Sequence, residues 1–276
     1  MIARLRLAAT IFLAALALLL LLPFHAVGVL IGGRAANAVT PLWHRIVMRL
    51  IGMRVIVTGA PSGERPLLLL ANHISWLDIS VLASVAPVSF IAKNEVAGWP
   101  VVGWLAKLQR SVFIDRQRRS ATGAKTDEVA GRLSKGDIIV LFAEGTSGDG
   151  NQVLPFRTAL VGAAQRAVEE GGGGAVIQPV AIAYARMLGL PLGRQHRPQI
   201  AWYGGTDLLP HLKRLLSQGA VDVYVTFGPP RRLRSGENRK IAAAEAQAFV
   251  RRAVSVVNSG RAPDDLARIP EVGDSA

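Results

Sequence analysis

The sequence predicts an α/β fold in which a mixed β-sheet is flanked by helices, preceded by an N-terminal membrane helix or hairpin. Two observations predict this fold. Short apolar runs alternate with helical stretches from about residue 54 onward, as expected for helices packed on a sheet. In front of them, Leu7 to Gly33 contains no Asp, Glu, Lys or Arg.

The uncharged N-terminal run is long enough to span a bilayer, because a helix of about 20 residues crosses a hydrocarbon core of about 30 Å. Pro23 leaves open a re-entrant or monotopic hairpin. A cleaved signal peptide ending near Ala36-Asn-Ala38, or a buried core helix, would also contain a run of this kind. Arginines occur on both sides of the run, so charge does not fix its orientation.

The next segment, Pro41 to Met53, has the amphipathic pattern of a helix that lies on the membrane surface. We therefore divide the chain into a membrane anchor with an interfacial helix at 1–53, one α/β domain at 54–260 and a disordered tail at 261–276.

The α/β domain is predicted from strands and helices in near alternation. The predicted strands are Arg54–Thr58, Leu67–Ala71, Val88–Ala92, Val112–Ile114, Ile138–Phe142, Val176–Ala183, Gln199–Tyr203 and Val221–Phe227. The predicted helices are Ile79–Val85, Pro100–Leu108, Ala121–Leu133, Thr158–Glu169, Leu208–Ser217 and Arg239–Asn258.

Composition limits the classes of function. The net charge of +13, together with 50% hydrophobic residues and a mean hydropathy of +0.32, indicates an anionic partner beside a membrane. No nucleic-acid motif accompanies the charge, so we expect no nucleic-acid partner. The absence of cysteine excludes disulfides and thiol nucleophiles. The five histidines lack paired-ligand spacing, so no metal site is expected.

A polar cluster follows the apolar run Leu67–Ala71, at the strand-to-helix turn where α/β folds place their chemistry. Within it, His73 could take a proton from a substrate hydroxyl, and Asp78 could hold the other ring nitrogen. On one ideal helix these residues would point about 140° apart, so the pairing requires His73 to precede the helix. The alternative is that Asp78 only caps a helix and His73 is a turn residue.

Three later segments complete a pattern: Ser111 to Arg116, Phe142 to Thr146, and Val176 to Val180. In this order and spacing, behind a membrane segment, the chain resembles the lysophospholipid acyltransferases, the family that includes 1-acyl-glycerol-3-phosphate acyltransferase. The resemblance runs from about Pro66 to Phe227 and covers all four motif blocks of that family.

The resemblance implies that His73 is the general base and Asp78 its partner. It also implies that Arg116 contacts a substrate phosphate, and that Lys93 stands where relatives often carry a phosphate-binding lysine. Arg presents a fork that suits phosphate oxygens, and Lys adds a point charge. The alternatives are a surface ion pair for Arg116 and a solvated side chain for Lys93.

The third block implies that Glu144, Gly145 and Thr146 bind the acceptor, and Pro179 matches the fourth block, linked to the acyl donor or to structure. Glu144 as a helix-capping acid is the alternative. The resemblance also implies a glycerolipid acyltransferase-like fold, with 54–260 as the acyltransferase domain.

Two positions depart from the family pattern. Arg110 stands where the second block usually starts with Gly, and Ser147 stands where the third block commonly has Arg. The text from Phe142 to Phe156 is similar to a bacterial subgroup that includes lyso-ornithine lipid O-acyltransferases. An ornithine-lipid acceptor has no phosphate, so the missing arginine weakens the phosphate interpretation.

We therefore expect a membrane-bound enzyme that moves a fatty acyl group from an acyl carrier protein or coenzyme A thioester to the hydroxyl of a lysolipid. The first expectation is 1-acyl-glycerol-3-phosphate giving phosphatidic acid, and the alternative is a lyso-ornithine lipid. Neither a cofactor nor a metal is expected.

The expected location is a bacterial inner membrane with the catalytic domain facing the cytoplasm, where acyl thioesters are found. A non-catalytic adaptor that binds anionic membrane lipids is the alternative from another class. A hydrolase would require a Gly-x-Ser-x-Gly elbow, which the sequence lacks.

Overall fold

A computed structural model describes residues 2–30, 36–114, 129, 131–133, 135–158, 161, 176–233 and 239–268. Helix α1, Ile2–Leu30, packs against helix α2, Ala36–Ile51. By length and composition Arg4–Leu30 is apolar enough to cross a membrane, and little of it is buried. Pro23 lies inside α1, and the helix continues through this residue, where the sequence left open a break.

One mixed sheet forms the centre of the protein. Its strands are β1 Met53–Thr58, β2 Leu67–Ala71, β3 Val88–Lys93, β4 Val112–Ile114, β5 Ile138–Phe142, β6 Val176–Met187, β7 Leu190–Pro191, β8 Val221–Phe227 and β9 Arg231–Arg232. The order is β1-β8-β6-β2-β5-β3-β4, and β7 and β9 pair with β6. β2 is parallel to both β5 and β6, whereas β6 and β8 are antiparallel. The predicted mixed sheet is confirmed.

The helices that flank the sheet are α3 Leu77–Val85, α4 Val102–Leu108, α5 Leu208–Gln218 and α6 Arg239–Asn258. Short 3-10 helices occur at Asn94–Gly98, Arg197–Gln199 and Pro263–Arg268. Most of the two predicted helices Ala121–Leu133 and Thr158–Glu169 lies outside the described residues.

Two sequence predictions differ from the structure. The predicted strand Gln199–Tyr203 is wrong, because Gln199 ends a 3-10 turn and the Trp202 amide donates to the Ile74 carbonyl at 2.9 Å. The predicted tail begins too early, since Pro263–Arg268 is helical and Leu266 packs against a buried cluster. Residues 269–276 lie outside the described part of the chain.

The central strand β2 has both faces buried, and its side chains alternate between two cores. Leu67 and Leu69 join a cluster that includes side chains of α2, α3 and α5. Leu68 and Leu70 join the opposite cluster, which includes one face of α6. Burying each leucine contributes roughly 1.5–3 kcal/mol. Helices therefore cover both sides of the sheet, and the end of β2 opens onto polar residues.

Candidate active site

The polar residues of the first and third motif blocks meet at one edge of the sheet. β2 ends at Ala71 and its parallel neighbour β5 ends at Phe142, and these two residues are paired in register. The Asn72 side chain then exchanges two hydrogen bonds of 2.8 and 2.9 Å with the backbone of Ile182 on β6. This exchange fixes the direction in which the chain leaves the sheet, a role the sequence analysis did not assign to Asn72.

His73 and Asp78 are in contact as the sequence pattern requires. His73 precedes α3 and Asp78 lies in its first turn, with His73 Nδ1 at 2.9 Å from Asp78 Oδ2. A carboxylate only accepts hydrogen bonds, so Nδ1 carries the proton and donates. The lone pair of Nε2 is therefore the one available to take a proton from a hydroxyl.

Asp78 is fully buried and is held by three further donors. The backbone amides of Ile74 and Ser75 donate to Oδ2 at 2.6 and 2.9 Å. The Tyr184 hydroxyl donates to Oδ1 at 2.7 Å. Asp78 therefore binds the backbone of the loop before α3 and contacts the His73 ring at the same time. Tyr184 was missed in the sequence, because it lies in an apolar strand 106 residues away.

The His73 ring and its backbone are both held in place. The ring stacks on Phe142 with centroids 4.1 Å apart, and the side chain is 19% exposed. The Gly148 amide donates to the His73 carbonyl at 2.9 Å. The Glu144 carboxyl accepts from the His73 amide. The His73 ring is therefore held in a fixed position, and such preorganisation would favour a proton transfer.

Glu144 lies behind His73. It is 3% exposed, accepts the Leu154 amide at 3.1 Å and is not among the described residues that line the cavity. Burial raises the pKa of Glu144 to about 8, although hydrogen bonds from the His73 and Leu154 amides oppose the rise. The placement suits support of the loop, whereas acceptor binding by this side chain stays a prediction.

The other predicted binding residues fall in three places. Gly145, with φ of 72°, and Thr146 line the cavity beside His73. Lys93 also lines it and forms a 2.7 Å ion pair with Glu95, each side chain being 55% exposed. Arg116 lies outside the described residues.

Pro179 and Ser147 complete the set of motif positions. Pro179 lies inside β6, paired with Leu70, and accepts the Gly228 amide at 2.9 Å. Ser147, at the position where an arginine was expected, donates its hydroxyl to the Trp202 carbonyl at 2.6 Å and lines the cavity. Ser147 therefore ties the loop after β5 to the segment around Trp202.

A cavity of about 550 Å³ extends from His73 toward the N-terminal helices. Its walls are mostly apolar and come from α1, α2, α3, β3, α4 and α5. Lining residues include Leu18, Leu21, Leu22, Trp43, His44, Val47, Trp76, Ile79, Phe90, Ile91, Trp99, Leu105, Gln109, Trp202 and Leu212. Concave sites of this size that are lined mostly by apolar side chains are typical ligand-binding pockets.

Comparison with known proteins identifies the family of this chain. A profile of the acyltransferase family matches residues 51–183. The lyso-ornithine lipid O-acyltransferase of Brucella abortus is 50% identical over 220 residues, which cover 79% of this chain and 82% of that protein. The chain belongs to the acyltransferase family. The family predicted from the motif blocks is confirmed, and so is the expectation of an acyltransferase enzyme.

Other members of the family show how far the likeness extends. The lyso-ornithine lipid O-acyltransferase of Rhodobacter capsulatus is 36% identical over 222 residues, covering 78% of this chain and 75% of that protein. The 1-acyl-sn-glycerol-3-phosphate acyltransferase of Neisseria gonorrhoeae is 35% identical over 179 residues, 64% of each chain. The crystal structure of the acyltransferase PlsC from Thermotoga maritima matches with a TM-score of 0.58 at 21% identity, covering 80% of this chain and 78% of that one. This last likeness supports the fold.

Proposed function

We propose that this acyltransferase moves a fatty acyl group from an acyl thioester to the free hydroxyl of a lyso-ornithine lipid. The observation that carries the proposal is the His73–Asp78 pair, which faces an apolar cavity from the polar edge of the sheet. The acceptor follows from the relatives with 50% identity, which are named for lyso-ornithine lipid. Phosphatidic acid synthesis, the first expectation from the sequence, has support from relatives of 35% identity.

The charges near the cavity agree with this acceptor. Ser147 replaces the arginine that would meet a phosphate, and Lys93 is already paired with Glu95. Lys93 lines the cavity, and the carboxylate of Glu95 lies 2.7 Å from its ammonium group. An ornithine head group carries a carboxylate and an ammonium group, so this pair complements it better than it complements a phosphate dianion.

The chemistry needs one base and no covalent enzyme intermediate. His73 Nε2 takes the proton of the acceptor hydroxyl as its oxygen bonds to the thioester carbonyl carbon. The imidazolium that forms is stabilised by the Asp78 carboxylate 2.9 Å from Nδ1. The tetrahedral intermediate then expels the thiolate, which takes the proton back from His73. An ester bond forms and the thioester bond breaks.

The cavity supplies the binding site for the fatty acyl chain. It lies between His73 and helices α1 and α2, so it adjoins a bilayer that surrounds α1. Acyl carrier protein and coenzyme A thioesters are cytosolic. We therefore place the catalytic domain at the cytoplasmic face of a bacterial inner membrane, with α1 as its anchor.

The test supplies the full-length protein with labelled acyl-coenzyme A or acyl-acyl carrier protein and one of two acceptors. We expect faster acylation of lyso-ornithine lipid than of lysophosphatidic acid. His73→Ala should lower the rate by about 10²- to 10⁴-fold, because the general base is lost. His196→Ala, which alters an exposed histidine outside the cavity, is the matched control and should retain activity.

Two outcomes would contradict different parts of the proposal. A faster reaction with lysophosphatidic acid would reject the acceptor and keep the acyl transfer. No labelled product from either acceptor, with wild type and His73→Ala indistinguishable, would reject the enzymatic function.

A further inference from the structure

A tryptophan of the loop that carries His73 lines the cavity as well. Trp76 stands between His73 and Asp78, directly before α3, and both Trp76 and His73 are among the lining residues. The Trp76 side chain is partly buried and packs against the cluster that includes side chains of α2, α3 and α5. A ligand that reaches His73 through the cavity can therefore touch the Trp76 indole.

The polar edge of this indole is bound by a histidine from a distant part of the chain. Trp76 Nε1 lies 3.1 Å from Nδ1 of His211, on α5, and the two rings meet edge-on with centroids 6.4 Å apart. An indole N–H only donates, so His211 Nδ1 accepts. His211 is 1% exposed, and the contact joins residues 135 positions apart. The acyl transfer proposed for His73 makes no use of His211, so this contact requires a role of its own.

The contact with His211 turns the Trp76 N–H away from the cavity. Leu208 and Leu212 of α5 line the cavity, whereas His211 is not among the described residues that do. The N–H is therefore directed into the protein, and the apolar surface of the indole is left to form the cavity wall. A buried indole N–H usually finds a partner. Without the acceptor on His211, the indole would gain by turning its N–H toward water in the cavity, near His73.

His211 is an acceptor at neutral pH. Burial lowers the pKa of His211, although the backbone of Ala201 opposes the fall. The ring is therefore uncharged at neutral pH, and Nδ1 keeps the lone pair that the Trp76 N–H meets.

We propose that His211 is a positioning residue for the acyl transfer. By accepting the Trp76 N–H, it holds the indole with its apolar surface toward the cavity beside His73, and so determines how a substrate fits against the base. The inference rests on the proposed function, since it concerns the substrate of that reaction. Small misplacements of a substrate relative to a catalytic group lower the rate, so loss of the acceptor should lower activity although His211 touches no reacting atom.

The test compares two variants of the same shape. Asparagine and leucine both branch at Cγ and both lack the outer atoms of the imidazole ring, but only asparagine has an acceptor at the place of Nδ1. The full-length protein receives labelled acyl-coenzyme A and lyso-ornithine lipid. We expect kcat/KM of His211→Leu to be about five- to tenfold below that of His211→Asn, the range of one neutral hydrogen bond. The thermal midpoints of both variants should fall together, because both remove the same ring atoms from a buried position.

A second measurement removes the donor instead of the acceptor. In a Trp76→Phe background no N–H requires an acceptor, so the difference between His211→Leu and His211→Asn should disappear. Ultraviolet resonance Raman spectra, taken as differences against Trp76→Phe, report the state of the Trp76 N–H. They should show a hydrogen-bonded N–H in wild type and in His211→Asn, and a changed one in His211→Leu.

The outcomes separate this inference from the proposed function. Equal kcat/KM for the leucine and asparagine variants, or a difference that persists in the Trp76→Phe background, would overturn the inference and leave the proposed function intact. If His211→Leu does not fold, His211→Phe, which also lacks an acceptor, takes its place in the comparison. If wild type yields no product with any acceptor, the proposed function is contradicted, and this inference with it.

Discussion

His73 and His44 contribute to the walls of one cavity, yet their surroundings prepare them for different chemistry. Each ring has one nitrogen tied to a side chain, at 2.9 Å for His73 and 2.6 Å for His44. The partner of His73 is the carboxylate of Asp78, and the partner of His44 is the neutral amide of Gln109. Each ring therefore keeps one nitrogen with a lone pair.

The two partners differ in what they do for a protonated ring. A carboxylate stabilises an imidazolium, so His73 can accept a proton during the reaction. A neutral amide gives little compensation for burial, and the pKa of His44 falls to about 4. In the proposed reaction the same residue type is thereby a base at one end of the cavity, and in the wall of the cavity it is an uncharged ring. The identity of the partner decides which of the two roles a histidine takes.

Asp78→Asn breaks the comparison by giving His73 a neutral partner like that of His44. An asparagine cannot stabilise the imidazolium, and its amide can hold the wrong tautomer of the ring. We expect kcat/KM for acyl transfer to fall roughly 10³-fold. Asp207→Asn, an exposed acid before α5, is the matched control. Loss of less than tenfold in the Asp78 variant would show that the carboxylate is not needed.

Tyr184→Phe sharpens the comparison because it removes one hydrogen bond to Asp78 and leaves the negative charge of the Asp78 carboxylate in place. The buried hydroxyl donates to Oδ1 at 2.7 Å, and a hydrogen bond to a charged group contributes about 1.5–3 kcal/mol. We expect the free energy of unfolding to drop by about that amount, and kcat to fall about tenfold. Tyr224→Phe on the neighbouring strand β8 is the control. Unchanged kcat together with lowered stability would assign Tyr184 a purely structural role.

The features that depend on residues close together in the chain could be predicted from the sequence. β2 has the predicted bounds Leu67–Ala71, because an all-apolar run between turn residues is typical of a strand that is buried on both faces. The His73–Asp78 contact also follows from a spacing of five residues across the start of a helix. Local order at the end of a central strand is therefore readable without a structure.

The remaining part could not be predicted, since it depends on long-range pairing. Tyr184 reaches Asp78 from 106 residues away, and His44 meets Gln109 from 65 residues away. The composition of Gln199–Tyr203 is typical of a strand, but the Trp202 amide donates a hydrogen bond to the carbonyl of Ile74, in the loop after His73. Tertiary contacts override local pattern at all three places.

Glu144→Gln extends the comparison from the two histidines to the two carboxyl groups near His73. Asp78 has three donors besides His73, whereas Glu144 Oε2 has no partner among the described residues and burial raises the pKa of Glu144 to about 8. A raised pKa means that the folded state prefers the protonated acid. The stability it confers is present below pH about 4.5 and is lost as pH rises through about 8.

Glutamine keeps the shape of the neutral acid and does not titrate. Between pH 5 and pH 9 the free energy of unfolding should therefore shift in favour of Glu144→Gln by a few kcal/mol, at about 1.4 kcal/mol per pKa unit. Chemical denaturation of the detergent-solubilised protein across this range measures the shift, and Glu245→Gln at an exposed position is the control. At pH 7 we expect acyl transfer within about threefold of wild type, the smallest effect of the series, because the neutral side chain still accepts the His73 amide. Parallel stability curves would show instead that Glu144 is already ionised, and that His73 works beside two carboxylates.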